Sequence, residues 1–170
     1  MDLYDCIQAR YSVRAYQDKE IPNEVLRRVM EAARLAPSAS NRQDWKFIII
    51  KDPELKQQVA EAARRQMFIA QAPVIIAGVS LNPDRLMSCE VPAYAVDFGI
   101  AMEHIALAAV AEGLGTCWIG DFSQSKIKQL LQVPEEYKVV ELMPIGYPAS
   151  PPRTKVRKRL EEIISINKFA

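Results

Sequence analysis

Arg10, Ser12 and Arg14 stand at alternate positions of the short run RYSVR. In extended backbone such positions share a face, so two guanidinium groups and a hydroxyl would offer donors to one anion while Tyr11 and Val13 turn the other way. Near the far end, PPRTKVRKRLEE places Lys155, Arg157 and Arg159 at alternating positions, a second group of cations remote in sequence from the first. Either run alone is also what a solvated surface carries. Two remote clusters converging on one phosphate would be a more specific device, because guanidinium forks match phosphate oxygens in pairs. Lys+Arg 22 against Asp+Glu 21 leaves a net charge of +1. That balance lacks the long-range field of a dedicated nucleic-acid binder, so any anion site must be local.

Two further stretches could serve a flat ligand. APSASNRQDW, residues 36–45, holds Ser38, Ser40, Asn41 and Gln43, whose hydroxyls and amides both donate and accept. Such a row suits the edge of a heteroaromatic imide, although plain loop chemistry uses the same residues. GLGTCWIG carries Gly113, Gly115 and Gly120, which would let main-chain amides approach a flat ligand closely, or would serve turns alone. Cys117 within it has no flanking base and reads as a small buried hydrophobe rather than a nucleophile. The one histidine, His104, has no Ser/Asp constellation beside it, so a hydrolytic triad is not expected. Neither GxxxxGK[ST] nor a GxGxxG after a strand occurs. A phosphate clamp and an imide-binding loop with few acid–base or metal groups describe a protein whose cofactor carries the chemistry.

The elements that would position these groups are legible in outline. Residues 3–9 read as a short helix. IPNEVLRRVMEAARLAPS reads as a longer one, with Pro22 near its start, Pro37 beyond its end and a stripe of Val25, Val29, Ala32, Ala33 and Ala36. WKFIIIK and PVIIAGVS are continuous apolar runs, expected as strands buried on both faces, with a helix from Asp52 or Pro53 between them. Residues 92–112 form a long helix, apolar almost all round, which should be buried all round in the core or against a second subunit. A strand over 114–120, a helix in SQSKIKQLLQV and a last strand in YKVVELMPIGYP follow, then a Pro-rich basic tail from about residue 149 ending in a short amphipathic LEEIISI. The order suggests one α+β domain, a sandwich with a mixed central sheet.

At 170 residues the chain fits a single domain with an adequate core. Cys6, Cys89 and Cys117 are too widely spaced for a disulfide framework, a metal site or an iron–sulfur cluster. The start carries acids and no signal-like core, and no uninterrupted apolar run spans a bilayer, so a cytoplasmic protein is expected.

Taken together and in order, RYSVR, APSASNRQDWKF, GLGTCWIG, MPIGYP and KVRKRLEEI resemble the FMN-dependent nitroreductase family across essentially the whole chain, in its short bacterial and archaeal form. The resemblance implies a three-layer α-β-α sandwich and a homodimer with FMN at the interface. It places Arg10, Tyr11, Ser12, Arg14, Lys155 and Arg157 around the phosphate and flavin edge of one chain. Pro37, Ser38, Ser40, Asn41 and Gln43 would line the flavin from the other, and Trp118, Ile119 and Gly120 would face the isoalloxazine near its reactive nitrogen. It further implies NADH or NADPH as donor and a nitroaromatic, quinone or similar flat acceptor, reduced in a ping-pong cycle with no essential protein acid or base. The family more often has Asn at the place of His104, and SLNPDRLMSCEVP, residues 80–92, stands where a variable segment shapes the substrate pocket. A flavin store or sensor without turnover, and a deiodinase-like reductive dehalogenase, remain alternatives.

Overall fold

In the computed structural model, which describes residues 1–152 and 155–169, the apolar run PVIIAGVS forms β2 (Val74–Ser80), buried along its whole length. Its side chains alternate between two separate cores: Val74 and Ile76 enter one, Ile75, Ala77 and Val79 the other. A strand clothed on both faces needs a helical layer on each side, and both are present. α2 (Asn23–Arg34) and α5 (Ala93–Ala111) cover one face; α3 (Pro53–Ala62), α4 (Phe68–Gln71) and α6 (Gln124–Leu131) cover the other. Each fully buried Ile or Leu of these layers contributes about 1.5–3 kcal/mol on leaving water.

The sheet runs β1 (Trp45–Ile50), β2, β4 (Lys138–Gly146), β3 (Gly115–Thr116). All three ladders are antiparallel; the parallel component of the expected mixed sheet is one bridge from Ser12 to Thr116. β1 departs from expectation, being an edge strand with Lys46 and Ile49 exposed rather than one buried on both faces. Its apolar run satisfied the pattern, but the edge position leaves part of it uncovered. β3 is much shorter than the stretch 114–120, because the chain turns after Thr116 and returns to the sheet only at Ile119, bridged to Leu142.

Local chemistry sets the helix starts. Asp2 accepts from the Asp5 N–H at 2.8 Å to cap α1 (Leu3–Ala9), and Asp52 accepts from the Leu55 N–H at 2.7 Å to cap α3 ahead of Pro53. α2 buries Leu26, Val29 and Ala33, while Val25 and Ala32 are only half-buried. α5 is long and apolar enough, at a mean hydropathy of 1.4, to cross a membrane by composition, contrary to expectation. Here Phe98, Met102, Ile105 and Ala109 pack it onto the sheet and α2, and its remaining face is half-exposed rather than buried all round. The basic tail ends in a single 3-10 turn, Leu160–Glu162, and Ile163, Ile164, Ile166 and Phe169 stay exposed.

Candidate functional site

The first residues after α1 run beside β3: the Val13 N–H donates to the Thr116 carbonyl at 2.9 Å. A glycine makes this possible, since a Cβ on Gly115 would lie 2.3 Å from Val13 Cγ2 and 3.0 Å from Pro148 Cγ. The segment after β4 joins the same seam, its Ala149 N–H donating to the Ala15 carbonyl at 2.9 Å and Ser150 accepting from the Tyr11 hydroxyl at 2.7 Å. This seam carries the tail back over the N-terminal run.

The result is a cleft of about 370 Å³ lined by Arg10, Tyr11, Ser12, Arg14, Ser150, Lys155 and Arg157 among others. The two cation clusters, remote in sequence, are thus brought together. Crowding leaves its mark on Lys155: burial, then Arg10 and Arg157 beside it, lower its pKa, and its ammonium group leans on the Gln8 carbonyl. Arg10 is restrained by Glu103 of α5, Nε to Oε1 3.3 Å. The Arg14 and Arg157 guanidinium groups have no carboxylate partner among the described residues; they touch the Ser12 and Val156 carbonyls at 3.4 and 2.8 Å. Arg159 instead reaches Glu162 at 3.4 Å and does not line the cleft.

The glycine-rich strip passes alongside, with its glycines in different roles. Gly113 turns the chain at φ 74°, Gly115 admits Val13, and Gly120 faces open space, with no atom within 4 Å of a Cβ there. Trp118 and Gly120 are exposed, whereas Ile119 is buried, its N–H and carbonyl both committed to Leu142 at 2.9 and 3.1 Å. Ile119 can therefore shape this strip only by packing. Cys117 is buried, and its thiol pKa is raised by desolvation despite the nearby Arg14 and Ser12, so it stays protonated and unreactive near neutrality. His104 is half-buried, with Nδ1 3.2 Å from the Ala32 carbonyl.

The loop with Pro37, Ser38, Ser40, Asn41 and Gln43 does not line this cleft. It is held in an uncommon shape, with φ of 56°, 52° and 55° at Ser40, Asn41 and Gln43, each an expense of about 1 kcal/mol for a residue other than glycine. Asp97 of α5, itself buried, accepts from the Ala39 N–H at 2.8 Å, and Ser38 Oγ accepts from the Gln43 N–H at 3.0 Å. Arg85 donates to the Ala39 carbonyl at 3.2 Å and to Ser40 Oγ at 3.3 Å. Gln43 Nε2 donates back to Asn41 at 3.2 and 3.3 Å, leaving an exposed polar rim. Sequence reasoning assigned no role to Asp97 or Arg85; the signal for Asp97 was one of two acids in an otherwise apolar helix.

Glu141 was missed as well, although an acid inside an apolar strand was there to be read. It is 3 % exposed, and its Oε1 has no hydrogen-bond partner among the described residues. Burial first, and Glu103 second, push its carboxyl up to about 9.

A family model described as the nitroreductase family matches residues 7–83 and 62–147. The chain belongs to the nitroreductase family. Family membership accounts for the sandwich and for the order of its motifs. A protein of Methanothermobacter thermautotrophicus described as a putative NADH dehydrogenase/NAD(P)H nitroreductase is 32% identical over 165 residues, covering 91% of this chain and 82% of its own. The FMN reductase [NAD(P)H] of Bacillus subtilis is 31% identical over 169 residues, covering 89% and 68%. Among solved structures, the NADPH:FMN oxidoreductase of Vibrio harveyi, complexed with NAD+, superposes with a TM-score of 0.90 at 26% identity, covering 99% of this chain and 78% of that one. The nitroreductase-like, three-layer α+β fold expected from the resemblance is the one observed.

Proposed function

We propose that this nitroreductase-family protein is an FMN-dependent oxidoreductase that takes hydride from NADH or NADPH and passes electrons to a nitroaromatic, quinone or similar flat acceptor. The observation that carries the site assignment is the meeting of Arg10, Arg14, Lys155 and Arg157 in one cleft, whose Ser12 is bridged to Thr116 of the glycine-rich strip. The donor set fits FMN: Arg14 and Arg157 have no carboxylate partner among the described residues and are suited to a phosphate, and Ser12 and Tyr11 can bond the ribityl chain or ring edge. When bound, FMN supplies the hydride and electron chemistry.

The chain's own groups bind and orient. Arg10, Arg14, Lys155 and Arg157 neutralise the phosphate. Gly120 leaves room for a ring to lie against the main chain, and Trp118 walls one side. The rim formed by Pro37, Ser38, Ser40, Asn41 and Gln43 serves the flavin of a second copy, which makes the functional unit a homodimer. The exposed Leu3, Tyr4 and Ile7 of α1 and the apolar residues of the tail are surface suited to that association. Cys117 and His104 take no part in the chemistry. A cytoplasmic location agrees with free, reduced thiols.

The test is spectroscopic. The purified protein should be yellow, release FMN on denaturation, bleach anaerobically with NADH or NADPH, and regain colour with a quinone. A colourless protein that takes up no added FMN sinks the proposal; a yellow one that never bleaches is a flavin carrier, not an enzyme. In sedimentation, a monomer holding stoichiometric FMN removes the shared site.

A further inference from the structure

Glu141 is a buried acid for which the binding residues above have no use. It lies on β4 opposite Gly78 of β2, and directly paired residues of an antiparallel ladder turn to the same face. A Cβ on Gly78 would lie 2.6 Å from Phe98 Cε1, so that face is the one α5 covers. Glu141 is therefore enclosed between β4 and α5, with one carboxyl oxygen unpartnered. An ionised group there would have lost its water with nothing in return, so the enclosure favours the neutral carboxyl.

The charges around it lead outward in a short line. From α5 comes Glu103, which bonds Arg10 at 3.3 Å, and Arg10 lines the cationic cleft. From the β3 side comes the Cys117 thiol, with Arg14 and Ser12 beyond it. The facing residues of β2, Gly78 and Val79, bring no titratable group. The other titratable groups of α5 turn elsewhere, Asp97 to the Ala39 N–H, His104 to the Ala32 carbonyl, and Tyr94 under the Lys138 ammonium, 5.2 Å from its ring centroid. Among the described residues, Glu103 stands on the helix that covers Glu141, adds its charge to the enclosure of that carboxyl, and bonds the cleft's Arg10.

We propose that Glu103 and Glu141 form a carboxyl pair carrying one negative charge, through which a proton held in the core is linked to an anion held in the cleft. The linkage rests on the cleft being the phosphate site proposed above. An anion on Arg10 takes part of the charge that Arg10 directs at Glu103. The pair is then less compensated and holds its proton more firmly. By reciprocity, the protonated pair strengthens anion binding by the same factor. Ionisation of Glu141 at high pH places a second negative charge beside Glu103, draws Arg10 inward and loosens the anion.

The flavin-loaded protein and its E141Q and E103Q variants test this. In the infrared, the wild type at neutral pH shows the carbonyl band of a protonated carboxylic acid, which fades at high pH and which E141Q lacks. FMN release on dilution is then followed by fluorescence from about pH 7.5 to about pH 10. The wild-type dissociation constant rises over that range at least about fivefold more than that of either variant. No such band in the wild type at neutral pH, or one pH dependence shared by all three proteins, overturns the linkage. If no FMN binds at any pH, the proposed function fails separately, and the midpoint of the infrared band with and without sulfate carries the test: a midpoint that sulfate leaves unmoved overturns the pair.

Discussion

Replacing Glu141 by Gln should make the protein more stable, and increasingly so as the pH rises. An unfolded glutamate titrates near 4.5, whereas the buried one is pushed up to about 9. Between those values folding takes up a proton that water must supply, so stability falls by about 1.4 kcal/mol for each pH unit. The contribution is full below 4.5, is lost progressively as the pH rises, and levels off above 9. At about pH 7 the accumulated loss is about 3 kcal/mol, a large share of the 5–15 kcal/mol that holds a typical domain together. Gln has nearly the same shape and cannot ionise, so E141Q escapes the loss. Urea unfolding of both proteins at a series of pH values gives the difference directly. The two midpoints should nearly coincide at acid pH and separate steadily towards pH 9, with unchanged slope against urea. Parallel curves throughout, or a variant that loses ground as the pH rises, would refute the assignment of a neutral carboxyl between β4 and α5.

Arg157→Gln should weaken FMN retention roughly tenfold, the worth of one charge-assisted bond, whereas Arg159→Gln should leave it nearly unchanged because that side chain is engaged with Glu162; flavin fluorescence on dilution reads both. Cys117→Ala should preserve NAD(P)H oxidation, and in the wild type a thiol reagent at neutral pH should label the exposed Cys89 while sparing Cys117. Gly115→Ala should cost about 1–3 kcal/mol in thermal or urea unfolding, since its methyl group meets Val13 and Pro148 where the seam is tightest.

The fold was legible wherever a segment's burial follows from its own pattern. PVIIAGVS reads as a two-faced strand and is one, because the helical layers close over both sides of it. WKFIIIK carries the same pattern at the sheet edge, where neighbours rather than composition decide exposure. The short α4 escaped notice because four residues show no period. In the site, the cations at both ends of the chain could be recognised from type and spacing; Arg10, Arg14, Lys155 and Arg157 line one cleft, whereas Arg159 turns to Glu162. Glu141 and Asp97 could not be assigned, since an acid in an apolar element signals strain or function without saying which partner it faces. The loop at 37–43 lies away from the cleft, held by Asp97 and by its own hydrogen bonds, and nothing in its composition told which ligand edge or subunit it would face.

The position of β4 bears on how the protein is made. Synthesis proceeds from the N-terminus, yet β4 lies between β2 and β3 and follows both of them along the chain. The backbone partners of Gln17 and Ala15, at Tyr147 and Ala149, emerge later still. Until then β2 has one edge of its backbone unpaired, and residues 15 and 17 lack their backbone partners. The sheet closes only once these sequence-distant pairings form. A product stopped before residue 138 lacks the strand that joins β2 to β3 and would leave the sheet in two parts.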